Sequence, residues 1–235
     1  KILLTLTMRA GSLNSGAMFE RWRPDYVRDQ WVAAKASIIP IGSFVLDEGA
    51  GGCPYRGLFS HCGYAAQDAI QWGGVDYVCD AAEIPLMSAS VDAVICTELL
   101  EHVKRPADVI QEIARLLKPG GQLILTAPLG SGLHQEPHHF YGGFTPHWYR
   151  HELRDFRNVA IVPNGGFFVY YGQESRRFSA LLDPRKLKGW TRCALALPWL
   201  ITLPWFRIVM PLACHYLDRL DAHKGFTVGY HITAT

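Results

Sequence analysis

A short apolar run that ends in an acid and a glycine-rich turn constrains the fold of this chain more than any other feature. Val45-Leu46-Asp47 is followed by Glu48-Gly49-Ala50-Gly51-Gly52-Cys53. Because glycine has no side chain and tolerates positive φ, such a turn lets a ligand approach the backbone closely. A dinucleotide fingerprint needs a glycine at Pro54, and the Lys-Ser/Thr pair of a P-loop is also missing. The turn predicts a ligand site at a strand end where no pyrophosphate is held.

Strands and helices alternate along the chain. Short apolar runs predict seven strands, at residues 43–47, 64–68, 75–79, 91–97, 122–127, 159–162 and 226–235. Helical spacing predicts helices at residues 18–35, 55–62, 106–117 and 145–156, with a tight turn at Lys118-Pro119-Gly120-Gly121. This alternation predicts a parallel sheet with right-handed crossovers, in which ligands bind beyond the carboxyl ends of the strands.

Composition excludes several classes of protein. A chain of 235 residues with 49% apolar and 19% charged side chains is long enough for one globular α/β domain. The net charge of +2, without a long Lys/Arg run, argues against a nucleic-acid partner. None of the six cysteines forms a Cys-x-x-Cys pair, so no zinc or redox motif is indicated, and we expect reduced thiols in a cytoplasmic protein.

Five segments, in this order and spacing, resemble the class I S-adenosylmethionine-dependent methyltransferases, in particular the type 11 methyltransferase domain. They are Val45-Leu46-Asp47-x-Gly49-x-Gly51, Asp80-Ala81 with Ile84-Pro85, Val91-Asp92-Ala93-Val94, Glu98-Leu99-Leu100-Glu101-His102-Val103 and Leu117-Lys118-Pro119-Gly120-Gly121. Two positions depart from the family: Cys53 replaces the usual third glycine, and Met87-Ser88-Ala89-Ser90 replaces a segment that usually carries Asp and Phe.

The resemblance implies one α/β domain with a Rossmann-like seven-stranded sheet, mostly parallel with an antiparallel last strand. Residues 43–164 and 226–235 would form the nucleoside-binding core, residues 1–42 an N-terminal helical cap, and residues 165–225 an inserted apolar lid.

The resemblance also implies S-adenosyl-L-methionine as cofactor and S-adenosyl-L-homocysteine as product. The residues expected to bind it are Asp47, Gly49, Ala50, Gly51, Asp68, Asp80, Ala81, Thr97 and Glu98. Backbone N–H groups of the glycine turn would meet the methionine carboxylate at a helix N-terminus. Asp68 would accept from the ribose hydroxyls, or else is a solvated turn residue, and Asp80 would accept from the adenine amino group. Glu98 would line the methionine part or cap the loop.

A loop rich in imidazole and aromatic side chains follows the fifth strand, where the fold would place the acceptor. It reads His134-Gln135-Glu136-Pro137-His138-His139-Phe140-Tyr141-Gly142-Gly143-Phe144. Members of the resembling subgroup carry a similar His-Phe-Tyr-x-Gly-Phe segment, which implies His139, Tyr141 and the neighbouring His138 as catalytic residues. His139 would take the proton of an acceptor hydroxyl. The alternative is that His139 holds the loop by hydrogen bonds.

A metal ion is the competing use of these side chains. Two sets offer ligands: His134, Glu136, His138 and His139 in the loop, and Glu98, Glu101 and His102 after the fourth strand. The second set resembles the metal-assisted quinone-pathway O-methyltransferases. Because Glu-Leu-Leu-Glu-His also occurs in relatives that need no metal, we expect no metal here.

Residues 194–217 are unlike the rest of the chain. They are long and apolar enough to span a bilayer, but Pro198, Pro204, Pro211 and Arg207 argue against a simple spanning helix. A lid packed over the sheet, with Trp199 and Trp205 buried, is the favoured interpretation. Peripheral contact with a membrane surface and a true span are the alternatives.

The predicted function is methyl transfer to a small-molecule or glycan-like acceptor, at oxygen. N- or C-methylation is one alternative. A catalytically silent nucleoside-binding scaffold or partner subunit is another.

Overall fold

The computed structural model describes residues 23–235, so the part of the predicted cap that precedes Arg23 lies outside the described residues. A seven-stranded sheet has the order β3-β2-β1-β4-β5-β7-β6. Its strands are β1 (Phe44–Glu48), β2 (Gly63–Asp68), β3 (Tyr77–Val78), β4 (Val91–Thr97), β5 (Leu117–Pro128), β6 (Ala160–Pro163) and β7 (Gly229–Ala234). The neighbouring strands among β1 to β5 are parallel to one another, and β7 is antiparallel to both β5 and β6. The predicted mostly parallel sheet with an antiparallel last strand is confirmed.

Six α-helices flank or follow the strands in the described part of the chain: α1 (Pro24–Ala36), α2 (Pro106–Leu116), α3 (Pro146–Glu152), α4 (Phe167–Leu181), α5 (Trp190–Pro204) and α6 (Met210–Leu217). A π-helical segment, Trp205–Val209, joins α5 to α6. Helices α1, α2 and α3 each begin with a proline, whose missing N–H is not needed in a first turn.

The helix predicted at residues 55–62 is wrong, because only a 3₁₀ turn forms at Arg56–Phe59. This link must return the chain along the length of β1, about 16 Å for five residues. A 3₁₀ turn covers more distance per residue than an α-helix does.

The core has two halves, one on each face of the sheet. On one face Val45, Ile95 and Ile124 pack with α1 through Val32 and Ala36. On the other face Leu46, Val94 and Leu123 pack with α2, whose apolar side is Val109, Ile110, Ile113 and Leu116. Because consecutive strand residues point to opposite faces, Val45 and Leu46 serve different halves.

The turn predicted at residues 118–121 lies inside β5 as a bulge. The pairing with β4 passes from Val91–Leu117 directly to Ala93–Gln122, so four residues of β5 oppose Asp92. Lys118 Nζ lies 2.8 Å from Asp92 Oδ1 across this bulge.

Helices α4 to α6 form a helical hairpin, residues 167–220, between β6 and β7. Its α4 runs antiparallel to the rest, since Gly172 lies against Pro211 and Cys214 while Ser179 lies against Trp199. At its base, Asp218 accepts hydrogen bonds from the Gly166 N–H at 2.9 and 3.0 Å. The base therefore adjoins the carboxyl ends of β5 and β6.

The prediction that this segment buries both of its central tryptophans is wrong. Trp205 is 52% exposed, and Trp199 is half-buried through its indole bond to the Ser179 carbonyl. Helix α5 packs along α4 and the 184–186 turn, so its outer side has no layer over it among the described residues. Trp190–Leu220, with 31 residues, is the one helix of the described chain that is long and apolar enough to cross a membrane, and its most apolar 18-residue stretch has a mean hydropathy of 1.6.

Candidate functional site

The sheet order reverses between β1 and β4, and open α/β sheets bind ligands at such a point. The glycine turn follows β1 there. A Cβ on Gly49 would lie 2.8 Å from Leu99 Cδ1, and φ is +69°, so only glycine fits. Around Gly51 and Gly52, by contrast, no heavy atom lies within 4 Å of an added Cβ. The open side of the turn therefore has room for a ligand.

Asp68 lies beside this turn, as its predicted role requires. Its carboxylate accepts from the Gly51 N–H at 2.9 Å and from the Ile70 N–H at 2.8 Å. A carboxylate has about four lone-pair positions, so both oxygens can accept further hydrogen bonds. The geometry brings the end of β2 and the glycine turn to one place.

Other predicted cofactor residues differ in how open they are. Asp47 is 1% exposed and accepts a hydrogen bond from the Tyr64 hydroxyl. Burial raises the pKa of Asp47 to about 7. Asp80 is exposed, and its Oδ1 accepts from the Ala82 N–H at 2.9 Å, while Ala81 is buried. Asp80 is open to a ligand, whereas Asp47 lies beneath the turn.

The end of β4 carries Thr97 and Glu98. Glu98 has a positive φ of 51°, rare for a residue with a side chain. Its N–H donates to the Thr126 carbonyl and its Oε1 accepts from the Thr126 hydroxyl, both at 2.9 Å. Burial raises the pKa of Glu98, and the charge of Arg28 opposes that rise. These bonds tie the end of β4 to β5.

Three imidazoles meet where the acceptor loop crosses the segment after β4. The ring centroids of His134 and His139 are 4.4 Å apart, and that of His102 lies 4.8 Å from His134 and 5.8 Å from His139. Nε2 of His139 lies 3.1 Å from Ser131 Oγ. Burial and the charge of His134 lower the pKa of His139, so its neutral, proton-accepting form prevails at neutral pH.

The other two predicted catalytic residues take different positions. Tyr141 donates its hydroxyl to the Lys104 carbonyl at 3.0 Å. His138 has an exposed side chain, and its backbone carbonyl lies 2.6 Å from Nδ1 of His102. Of the three predicted catalytic residues, only His139 has its ring in the cluster that it forms with His102 and His134.

Sequence reasoning considered Glu101, His102 and His134 only as metal ligands, with His134 in a different set from the other two, and expected no metal. Glu101 is 1% exposed, and its Oε2 has no hydrogen-bond partner. Burial and the charge of Glu98 raise the pKa of Glu101 to about 8. These three residues place one ligand atom each within 4.8 Å of one another. The sequence signal for this cluster is the adjacent pair Glu101-His102. Nothing in the sequence spacing shows that His134 folds back against that pair.

The larger of two described cavities is not at the glycine turn. It has a volume of about 230 Å³ and lies between the start of α1 and the hairpin, where Gly172, Pro211 and His215 line it. A cavity of about 30 Å³ adjoins Glu98, Arg28 and His231.

A family model described as "Methyltransferase domain" matches residues 60–125 of this chain. The ubiquinone biosynthesis O-methyltransferase of Xanthomonas axonopodis pv. citri is 32% identical over 120 residues, which cover 43% of this chain and 48% of that protein. The tRNA (carboxymethyluridine(34)-5-O)-methyltransferase ALKBH8 of Mus musculus is 35% identical over 99 residues, 37% of this chain and 15% of that protein. The chain thus spans less than half the length of these relatives.

A solved structure of similar size has the same fold. The chain is similar to a SAM-dependent methyltransferase from Archaeoglobus fulgidus, with a TM-score of 0.56 and 16% identity over 94% of this chain and 99% of that one.

Proposed function

We propose that the chain is a class I S-adenosylmethionine-dependent methyltransferase and that it methylates a hydroxyl of a small-molecule or glycan-like acceptor. The observation that carries the proposal is the placement of a neutral imidazole, His139, at the same sheet edge as the glycine turn and Asp68. The two relatives named above, both O-methyltransferases by name, support oxygen as the methylated atom.

The residues at the β1–β4 edge fit S-adenosylmethionine. The open side of Gly51 and Gly52 offers space for its methionine carboxylate. The predicted N–H cradle differs, because the N–H groups of Gly49, Ala50 and Gly51 donate to Gln67 and Asp68 of β2. Asp68 would accept from the ribose hydroxyls with the lone pairs that its two backbone bonds leave. Asp80, exposed after β3, would accept from the adenine amino group, and the backbone of Ala81 would meet the ring edge.

The acceptor loop would then hold the nucleophile and take its proton. When bound, the cofactor supplies an electrophilic methyl group on a sulfonium. His139 would take the hydroxyl proton of the acceptor, whose oxygen would receive the methyl group in place of the sulfur, with S-adenosylhomocysteine as the other product. Ser131 orients the ring through its bond to Nε2. In-line placement supplies much of the rate, so the loop's main tasks are positioning and deprotonation.

The experiment measures release of S-adenosylhomocysteine from S-adenosylmethionine with a panel of phenolic and saccharide acceptors. His139→Gln should lower turnover by about 10²–10⁴. Calorimetry should show unchanged binding of S-adenosylhomocysteine. Because His139 acts in its neutral form and its pKa is lowered, turnover should fall only below pH 6.5. The matched control is His147→Gln, an exposed histidine on α3, which should keep full turnover.

Other outcomes separate the alternatives. A wild-type protein that binds S-adenosylhomocysteine but methylates nothing in the panel would favour the silent scaffold. Methylation found at nitrogen or carbon by mass spectrometry and NMR would overturn the choice of oxygen. Full turnover by His139→Gln would leave His139 with only a loop-holding role.

A further inference from the structure

The helical hairpin exposes an apolar side that nothing in the described chain covers. Leu197 is 66% exposed, Ile201 70% and Trp205 52%, and Ile208 follows at the same helical spacing. Spacings of three and four residues place these side chains on one side of the continuous helix. No residue in the most apolar part of Trp190–Leu220 is buried. Soluble surfaces rarely carry a contiguous apolar patch of more than a few hundred Å².

Hydrogen bonds at Phe206 and Arg207 link the same helix inward to α4. Pro211 has no N–H to donate to the Phe206 carbonyl in the π register, and the Ser175 hydroxyl donates to that carbonyl at 2.9 Å. Arg207 is the only charged residue between Cys193 and Leu217, and its Nε donates to Ser179 Oγ at 3.2 Å. Internal partners of this kind are what a helix needs when its outer side meets no water.

Basic residues gather at the turn between α4 and α5. Asp183 is the one acid there, against Arg185, Lys186, Lys188 and Arg192. Asp183 is paired with Arg185, with 2.6 Å between Arg185 Nη2 and Asp183 Oδ2. Lys188 and Arg192 are exposed and flank Trp190, which is 80% exposed. Tryptophan next to lysine and arginine is typical of protein segments that lie among lipid headgroups.

We propose that the hairpin is a membrane-docking element, which lays the outer side of α5 and the π segment into the surface of a bilayer that contains anionic lipids. Its basic turn would meet the headgroups, and Leu197, Ile201 and Trp205 would enter the acyl boundary. Because the hairpin base adjoins the carboxyl ends of β5 and β6, docking turns the proposed catalytic edge toward the membrane.

Two features favour a lipid surface over a protein partner or a span. Protein interfaces have polar rims and about one hydrogen bond per 100–200 Å² across the contact, whereas this surface is apolar and its Arg207 bonds within the hairpin. Polar residues of α4, Gln173 and Arg176, face the cavity beside α1, so the hairpin has one polar and one apolar side. A surface-lying element needs such sidedness, whereas a spanning hairpin would be apolar all around.

The test is co-sedimentation of the full chain with phosphatidylcholine vesicles, with and without phosphatidylglycerol. Wild-type protein should sediment with the mixed vesicles, less so at high salt. Leu197→Glu/Ile201→Glu should abolish sedimentation. Lys188→Gln/Arg192→Gln should weaken the partition coefficient about tenfold or more. The matched control, Ile41→Glu/Met87→Glu, changes two exposed apolar residues next to the opposite sheet edge and should sediment as wild type does.

Quenching by brominated lipids gives a readout that needs no charged substitution. Wild-type tryptophan fluorescence should be quenched, and Trp205→Phe should reduce the quenched fraction. Alkaline carbonate should release the bound protein. Wild-type protein that stays in the supernatant, or a Leu197→Glu/Ile201→Glu variant that still sediments, would overturn the proposal. Carbonate-resistant protein would indicate a span instead. A dimer that Leu197→Glu/Ile201→Glu converts to a monomer without any vesicle binding would assign this side to a second copy.

Discussion

At the carboxyl edge of the sheet, aliphatic side chains lie inside and polar groups reach the surface, whereas in the hairpin the polar groups bond inward and the aliphatic side chains face out. Ile95 of β4 is fully buried, while Ile201 of α5 is 70% exposed. Asp68 and Asp80 present oxygens near the surface, while Ser175 and Ser179 turn their hydroxyls to the interior of the hairpin.

Both regions have to supply partners for the backbone polar groups that they remove from water. In the sheet, the backbone ladder meets this requirement and the core supplies the hydrophobic stabilisation. In the hairpin, the Ser175 hydroxyl bonds the Phe206 carbonyl, which Pro211 leaves without an N–H donor, and no part of the described chain buries the outer side. The difference teaches that the outer side of the hairpin contributes little to the stability of the domain in water.

A matched pair of substitutions tests this difference most directly. Ile95→Ala should lower the free energy of unfolding by about 2–5 kcal/mol, because it opens a cavity in a closely packed core. Ile201→Ala removes the same atoms from an exposed position and should change it by less than about 0.5 kcal/mol. Urea titrations of both variants without lipid measure this. Equal losses would mean that the outer side of α5 is buried in solution.

The cofactor edge should respond to loss of one acceptor. Asp68→Ala should weaken S-adenosylhomocysteine binding by about 1.5–3 kcal/mol, because hydrogen bonds to a charged group are lost. Calorimetry measures the affinity. Because the Gly51 N–H donates to Asp68, a thermal melt of the variant checks that the fold of the glycine turn is kept. Asp155→Ala, an exposed acid after α3, is the control. Unchanged affinity in Asp68→Ala would remove Asp68 from the site.

The sequence predicts an element well when the burial of its side chains follows a regular pattern along that element. Strand β4 was predicted with its observed bounds, because both of its faces are buried and the run Val-Asp-Ala-Val-Ile-Cys-Thr is almost continuously apolar. Helix α2 is predicted with its buried side because its apolar residues Val109, Ile110, Ile113 and Leu116 recur at helical spacing. The link at residues 55–62 is predicted wrongly, because the distance that it must cover depends on the length of the neighbouring strand β1.

The site was predictable where it follows from strand ends, and less so where loops meet. Asp68 and the glycine turn come together because parallel strands end at one edge. The contact of His102 with His134 depends on how a long loop folds back, which spacing does not encode. In the hairpin, apolarity predicts burial but does not tell whether protein or lipid provides it. For that reason Trp205 was expected inside and is exposed.

A buried histidine in β7 links the core to pH. Burial lowers the pKa of His231 to about 4, and its ring stacks on Trp31 at 4.7 Å. Because an unfolded histidine has a pKa of about 6.5, the unfolded chain takes up the proton first. The stability that His231 contributes is present above that value and lost as the pH falls toward 4, about 2 kcal/mol between pH 7 and 5.

His231→Phe keeps an aromatic ring and removes the titration. Chemical denaturation at pH 7 and pH 5 should show a smaller loss for this variant than for wild type. Carboxyl groups titrate in both proteins, so the difference between the two losses isolates residue 231. Equal losses in wild type and His231→Phe would show that His231 does not titrate in this range.

The smallest expected effect concerns Glu101, whose buried carboxyl group lies beside the cluster of His102, His134 and His139. Its raised pKa of about 8 keeps it protonated at neutral pH, so Glu101→Gln replaces one neutral group by another of nearly the same shape. In a metal-free site, Glu101→Gln should turn over at close to the wild-type rate at pH 7, and a chelator should change neither protein. A metal held by Glu101, His102 and His134 would instead need the carboxylate. Loss of turnover both in Glu101→Gln and in chelated wild type, with restoration of the wild type by a divalent cation, would therefore contradict the metal-free mechanism. Glu83→Gln, at an exposed position before β4, controls for the loss of one acidic residue.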